Sequence, residues 1–368
     1  KTKDQLYYEA IKFKPAISMD KNILGQTLDW YRQWLTNYNP ESTYWKEGVW
    51  GELSNMPPKL NIPVLFRGGW YDTHIDGMIK AYNNIPEKIK NDSIFIISPL
   101  NHRGTLSSDT PMENIFEFTG TRFIKTKLMW FDHHLKNMPL NDYLEKGNIY
   151  TYCIEQNSWR KEKTFSSTKF LKLYIDTQKN LLDNKISFNT KSYIYDPENP
   201  VSTCGSDVIM TQYLYQKNPK PIHGRRIISQ PFQRNDILSF FSEPLEKDIH
   251  IYGNINITLN IKSSAKETSF CVKISDVYPD GNSYHIRENI SSVKCLQDNT
   301  NILNLKLWNI DCIIKSGHKI RLDITSSSFP AFWVHSNTTT PWYEETNCVK
   351  ATQTIYGGEN SFIEIPIK

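Results

Sequence analysis

Asp72 and His102 stand thirty residues apart, each just past the C-terminal end of a short apolar run. The first run, Pro63-Val64-Leu65-Phe66, breaks at Gly68-Gly69 and leads through Trp70-Tyr71 to Asp72. The second, Ile94-Phe95-Ile96-Ile97, leads through Ser98-Pro99-Leu100-Asn101 to His102. Between them, Asp76 to Asn84 reads as a helix. A strand, a helix and a second parallel strand bring two strand ends together on one sheet edge, where open α/β sheets keep their sites. A carboxylate there fixes an imidazole's tautomer and stabilises its charged form, as the second and third members of a Ser-Asp-His triad do.

The positioning elements are those of an α/β-hydrolase, in which the chain order is Ser, Asp, His. The first member is missing. No Gly-x-Ser-x-Gly turn occurs, and the nearest candidate, Cys204-Gly205-Ser206-Asp207, lacks the second glycine and lies downstream of His102. The chain therefore reads as α/β over this region, the C-terminal part of an α/β-hydrolase domain. With the family resemblance and the strand pattern described below, the expected fold class is α/β plus all-β, with a cap remnant before that part and a jelly-roll β-sandwich after it.

With 368 residues the chain has length for two domains. Its formal net charge of +4 comes from 43 basic and 39 acidic residues, interspersed. That balance predicts no nucleic-acid partner and no membrane surface partner, and no run approaches the roughly 20 apolar residues of a membrane span. The start, Lys1-Thr2-Lys3-Asp4, is neither an initiator methionine nor a signal peptide. Six cysteines are scattered without a Cys-x-x-Cys pair. No metal and no cofactor are expected on that ground, and dispersed thiols suit a cytoplasmic location.

Along the chain, Ile23 to Leu35 predicts one helix, and Glu41 to Glu47 a turn of helix packed on the hydrolase core. A longer helical pattern runs from Asn114 to Leu135; its His133-His134 pair is adjacent, so the two rings cannot face one ligand. From about Ile149 the period changes from 3.6 to 2. Strands are predicted at Ile149–Ile154, Lys169–Ile175, Ile249–Ile261, Phe270–Val277, Leu303–Trp308, Lys319–Thr325 and Phe362–Ile367. Many strands at this spacing, with no helix between, read as a sandwich or jelly roll. Phe329, Phe332 and Trp333 are expected to pack this part against the hydrolase part, and Trp70 and Tyr71 to pack beneath the Asp72 loop.

Gly68-Gly69-Trp70-Tyr71-Asp72 and Ser98-Pro99-Leu100-Asn101-His102 together resemble the Asp and His segments of the cocaine esterase and X-prolyl dipeptidyl-peptidase family. In the family's order follow Trp130-Phe131-Asp132-His133, Tyr195-Asp196-Pro197, Asn235-Asp236-Ile237-Leu238-Ser239-Phe240, Asp276-Val277-Tyr278-Pro279-Asp280-Gly281, Ser316-Gly317-His318 and Ser326-Ser327-Ser328-Phe329-Pro330. The resemblance implies residues 1–50 as the end of a helical cap, 51–165 as the last third of the hydrolase core and 166–368 as the jelly roll. It implies Asp72 and His102 as triad acid and base, and an N-terminal segment, outside this sequence, that carries the serine. Where relatives that take α-amino acid esters have acidic residues after the triad Asp, Thr73-His74-Ile75 stand here, which disfavours such substrates. The residue two beyond the Asp lines the acyl pocket in the esterase branch and nominates His74 for substrate binding. The expected function is a serine hydrolase acting on small ester, amide or short peptide substrates, with a homo-oligomer left open. The alternative is a non-catalytic carbohydrate- or protein-binding module with a relic hydrolase core.

Overall fold

In the computed structural model the described residues are 3–140, 144–178, 180–183, 189–208, 223–228, 234–296 and 299–368. Four strands make the first sheet in sequence order: β1 (Leu65–Tyr71), β2 (Ile94–Asn101), β3 (Asn148–Cys153) and β4 (Ser158–Glu162). β1, β2 and β3 are parallel, and β4 returns antiparallel to β3. The Ile94–Ile97 run of β2 is apolar throughout because both of its faces are covered, as in parallel sheets generally. Ile94 and Ile96 face a core with Phe118, Phe123, Trp130 and Tyr150, supplied partly by the helix Gly120–Lys136. Phe95 and Ile97 face the opposite way, onto Ile75, Ile79 and Tyr82 of the helix Ile75–Asn84. This second core runs without interruption into that of the β part.

Strands from Lys169 to Ile367 join into one fourteen-stranded network that is antiparallel at nearly every pairing. The described residues beyond 165 hold no helix. A polar seam runs beside this shared core. The Asp311 carboxylate accepts the Thr151 hydroxyl (2.6 Å), Glu155 accepts Arg225 (2.9 Å), and Asn309 donates to Asp76 (2.9 Å). No described helix is long and apolar enough to cross a membrane.

Several local expectations change. The helix expected over Ile23–Leu35 is two, Met19–Leu24 and Asp29–Thr36, separated at the left-handed Gly25 (φ +78°). The buried Asp20 carboxylate holds them together, accepting Leu28 N (2.9 Å) and the Arg32 guanidinium (3.0 Å). The Arg32 bond, offset by burial, keeps its carboxyl down at about 2. The turn Thr43–Lys46 packs through Trp45 on Trp34 and Trp50. The Asn114–Leu135 helix starts only at Gly120, after a short turn at Ile115–Glu117. Ile249–Ile261 is two strands, Ile249–Gly253 and Asn256–Ser263, because Gly253 (φ +127°) bends the chain from one set of partners to another. Phe332 and Trp333, with Phe329, wall a cavity against Leu6, Ile11 and Met19 of the N-terminal helices. Phe332 and Trp333 thus pack on this helical segment, while Phe329 also packs on the apolar core that the parallel sheet shares with the β part.

Candidate active site

The two strand ends are locked together before any side chain meets. β1 and β2 pair in register from Leu65 opposite Ile94 to Gly69 opposite Ser98 and then shift, so that Tyr71 faces Asn101. Gly69 lies so close to the Leu100 carbonyl that a Cβ would collide with it; only glycine permits this approach. Below the turn, Trp70 and Tyr71 are buried, and the Trp70 indole donates to the Tyr152 carbonyl (2.7 Å). Both pack under the Asp72 loop, as expected.

Asp72 follows directly in a tight turn, its N–H donating to the Gly69 carbonyl (3.0 Å). Its Oδ1 accepts the His74 N–H (2.9 Å), which fixes the carboxylate at the start of the helix Ile75–Asn84. On β2, Asn101 organises the loop that carries His102. The Asn101 Oδ1 accepts Arg103 N (3.0 Å), Thr105 N (3.1 Å) and the Thr105 hydroxyl (3.0 Å). Asn hydrogen bonds of this kind to the following backbone hold turns without help from secondary structure. The result brings His102 Nδ1 to 3.1 Å from Asp72 Oδ1 and 3.2 Å from Oδ2. The Asp72 side chain is 13% exposed and that of His102 is 45% exposed, so the outer edge of the ring is open to a cleft of about 350 Å³. His74 lines the same cleft, its ring 5.0 Å from that of His102 and edge-on to it. All three residues singled out from sequence therefore meet.

Two features escaped the sequence reading. Arg225 and Arg226, from the β part, grip the chain that leaves His102. Arg225 N donates to the Ser107 carbonyl (3.1 Å), Asp109 N donates to the Arg225 carbonyl (2.8 Å), and Arg226 pairs with Asp109 (2.6 Å). The buried Arg225 side chain then reaches Glu155 and Asp276 (3.0 Å). An Arg-Arg pair was the available signal, but a partner more than a hundred positions away leaves no periodic trace. Second, Asp207 is paired with Arg287 (2.8 Å) close enough to Asp72 to feel its charge. Burial pushes the Asp207 carboxyl up to about 6 against the opposing pull of Arg287.

No serine hydroxyl is hydrogen-bonded to His102 among the described residues. Ser98 lines the cleft but donates to the Gly68 carbonyl (3.2 Å). Ser206 is buried, with Gly205 pressed on the His285 ring.

Comparison with known proteins gives two family matches. Residues 134–363 match the X-Pro dipeptidyl-peptidase C-terminal non-catalytic domain, and residues 2–104 match the X-Pro dipeptidyl-peptidase (S15 family). The chain is 23% identical over 349 residues to cocaine esterase of Rhodococcus sp., covering 87% of this chain and 57% of that protein. It superposes on an aminopeptidase from a marine sediment archaeon, Thaumarchaeota archaeon, with a TM-score of 0.80 at 19% identity, over all of this chain and 64% of the other. An α-amino acid ester hydrolase gives a TM-score of 0.79 at 19% identity, over 97% of this chain and 64% of the other. At these identities the superpositions show a shared fold. The chain thus spans somewhat under two thirds of the length of each.

Proposed function

Since the chain belongs to the X-Pro dipeptidyl-peptidase and cocaine esterase family, a family of serine hydrolases, we propose that Asp72 and His102 are the acid and base of a Ser-His-Asp triad. The observation that carries this reading is the hydrogen bond between His102 Nδ1 and Asp72, made at the ends of two adjacent parallel strands. With Nδ1–H donated to Asp72, the lone pair of Nε2 is left for a proton acceptor's task. His102 takes the proton of the attacking serine and returns it to the departing alcohol or amine; Asp72 holds the tautomer and stabilises the imidazolium. The acyl-enzyme is then hydrolysed by a water activated in the same way. His74, on the cleft wall, contacts the acyl group. The substrates are small esters, amides or short peptides.

The serine and its oxyanion donors come from a hydrolase segment beyond these 368 residues, on the same polypeptide or a companion chain. Two surfaces support this. Among the described residues β1 pairs only with β2, so its outer edge has unpaired backbone groups, as an edge strand awaiting a neighbour does. On the helix Gly120–Lys136, Ile124, Leu128, Phe131 and Leu135 form one apolar stripe, each more than half exposed.

The test is to produce the chain alone and with that segment, then assay a p-nitrophenyl acyl ester and a fluorophosphonate label. Alone, the chain is expected to be poorly soluble and silent; together, the label attaches to a serine of the segment and ester is hydrolysed. Label on a serine of this chain, or hydrolysis by it alone, overturns the assignment. Silence of the complete protein would favour a binding module with a relic core.

A further inference from the structure

We infer that Asp72, His74 and His102 form a three-ligand site for a divalent transition-metal cation of the zinc type, whose binding disables the base. Only the inhibitory consequence rests on the triad reading; the binding does not.

One ligand atom from each of the three side chains lies within 4.8 Å of the other two. Zinc takes nitrogen and carboxylate oxygen at about 2.0–2.2 Å in tetrahedral sites. Ligand atoms on such a tetrahedron are separated by about 3.3–3.6 Å, so small side-chain rotations suffice to close this group around an ion. Hydrogen bonds already tie the three together. Asp72 and His74 are tied by the hydrogen bond from the His74 N–H to Asp72 Oδ1, and His102 by its own bond to the same carboxylate. Two imidazoles and a carboxylate, with a fourth position open to the cleft, are the donor set of zinc sites that keep a water or substrate position. The cleft also holds Arg67 and Arg103. Arg67 is turned onto the Phe123 ring, 4.1 Å from its centre. No metal was expected there because that expectation rested on the scattered cysteines and passed over the Asp72-Thr73-His74 spacing.

A second group of similar composition, Cys153, His250 and Asp311, lies at the seam between the two parts. There the carboxylate is occupied by the Thr151 hydroxyl (2.6 Å) and His250 Nε2 (2.7 Å), and the buried Cys153 is sealed from solvent. The cleft group differs in being accessible and in having an open side.

Coordination consumes the base by either ring nitrogen. At Nε2 the ion takes the lone pair that would accept the serine proton. At Nδ1 it displaces the proton held by Asp72, which is released to solvent, and the Asp72–His102 hydrogen bond is replaced by two metal–ligand bonds. No oxidant or reductant is involved.

The experiment titrates Zn²⁺, and Co²⁺ for its visible absorption, into the purified protein and into His74→Ala, Asp72→Asn and His102→Ala. One equivalent is expected to bind the parent, and each of the three variants to bind about 100-fold more weakly or less, since even outer-shell partners of a metal ligand are worth 10–100-fold. Cys153→Ala and His134→Ala are expected to bind as the parent does. In the hydrolytically competent protein, Zn²⁺ should abolish turnover and a chelator restore it. The Zn²⁺ concentration for half inhibition of His74→Ala, relative to its own metal-free rate, should rise about 100-fold. Parent-like binding by His74→Ala, or binding lost in His134→Ala, overturns the site. Binding with the expected ligand dependence but undiminished turnover leaves the site standing and removes His102 as the base.

Discussion

At the scale of single residues, the Asp72–His102 pair makes different demands on its two members. His102→Ala in the complete protein is expected to remove nearly all turnover, leaving roughly the 10³–10⁴-fold over water that binding and an oxyanion hole supply alone. Asp72→Asn keeps the shape but favours the wrong imidazole tautomer, and a loss of about 10⁴ in kcat is expected. Steady-state ester hydrolysis with protein of unchanged circular dichroism checks both; near-normal rates would place the base elsewhere. His335 gives a pH effect with a definite sign. Burial, with Lys14 adding, holds its imidazole down at about 4, against about 6.5 in the unfolded chain. Between those values the unfolded chain takes up a proton that the native protein refuses, so stability falls as pH drops through this window. In His335→Gln the gap between urea midpoints at pH 7 and pH 5 should narrow; it will not close, because His223 is held down at about 4 in the same way.

At the scale of elements, the site depends on how closely β1 and β2 approach at their C-terminal ends. The register shift after Gly69 carries Tyr71 opposite Asn101 and lets the Asp72 and His102 loops share one cleft. Gly69→Ala forces its new methyl onto the Leu100 carbonyl. Overpacking of this kind costs about 1–3 kcal/mol, and the relief is a displaced β2 end. Lower stability in urea, together with slower fluorophosphonate labelling of the complete protein, is the expected outcome. A Gly69→Ala protein of unchanged stability would mean that the strand ends are looser than described. The period-2 and period-3.6 patterns located β1, β2 and part of the β network; Ser283–Lys294, Ile310–Ile314 and Ala351–Tyr356 were not predicted, and two predicted elements were cut by one residue. Gly25 and Gly253 adopt positive φ inside otherwise continuous apolar spacing, and hydrophobic periodicity does not register backbone conformation.

At the scale of the molecule, the β part holds the loop that carries His102. Arg225 is buried between Glu155 of the α/β part and Asp276 of the β part, and its backbone pairs with the chain following His102. Replacing it by Met leaves two carboxylates without their cation. Breaking a buried pair from one side costs about 3–5 kcal/mol, so Arg225→Met should be strongly destabilised. Amide hydrogen exchange over residues 103–110 should accelerate more than over β1–β3. Uniform acceleration would show that Arg225 supports the fold at large without a particular hold on the loop.

Taken by itself, the sequence determined whatever is encoded within a few neighbouring positions. The parallel strands at Pro63 and Ile94, the Asp and His just past their ends, the change of period near Ile149 and the more strongly alternating strands beyond it are all of this kind. The tertiary structure alone decided which distant groups meet. That His74 turns toward His102, that Phe332 and Trp333 face the N-terminal helices, and that Arg225 reaches across to Glu155 depend on the path of the whole chain. Side-chain spacing carries the geometry of one helix or strand. A partner for a buried charge seventy residues away is chosen by which surfaces the packed layers bring together, and no local pattern records that choice.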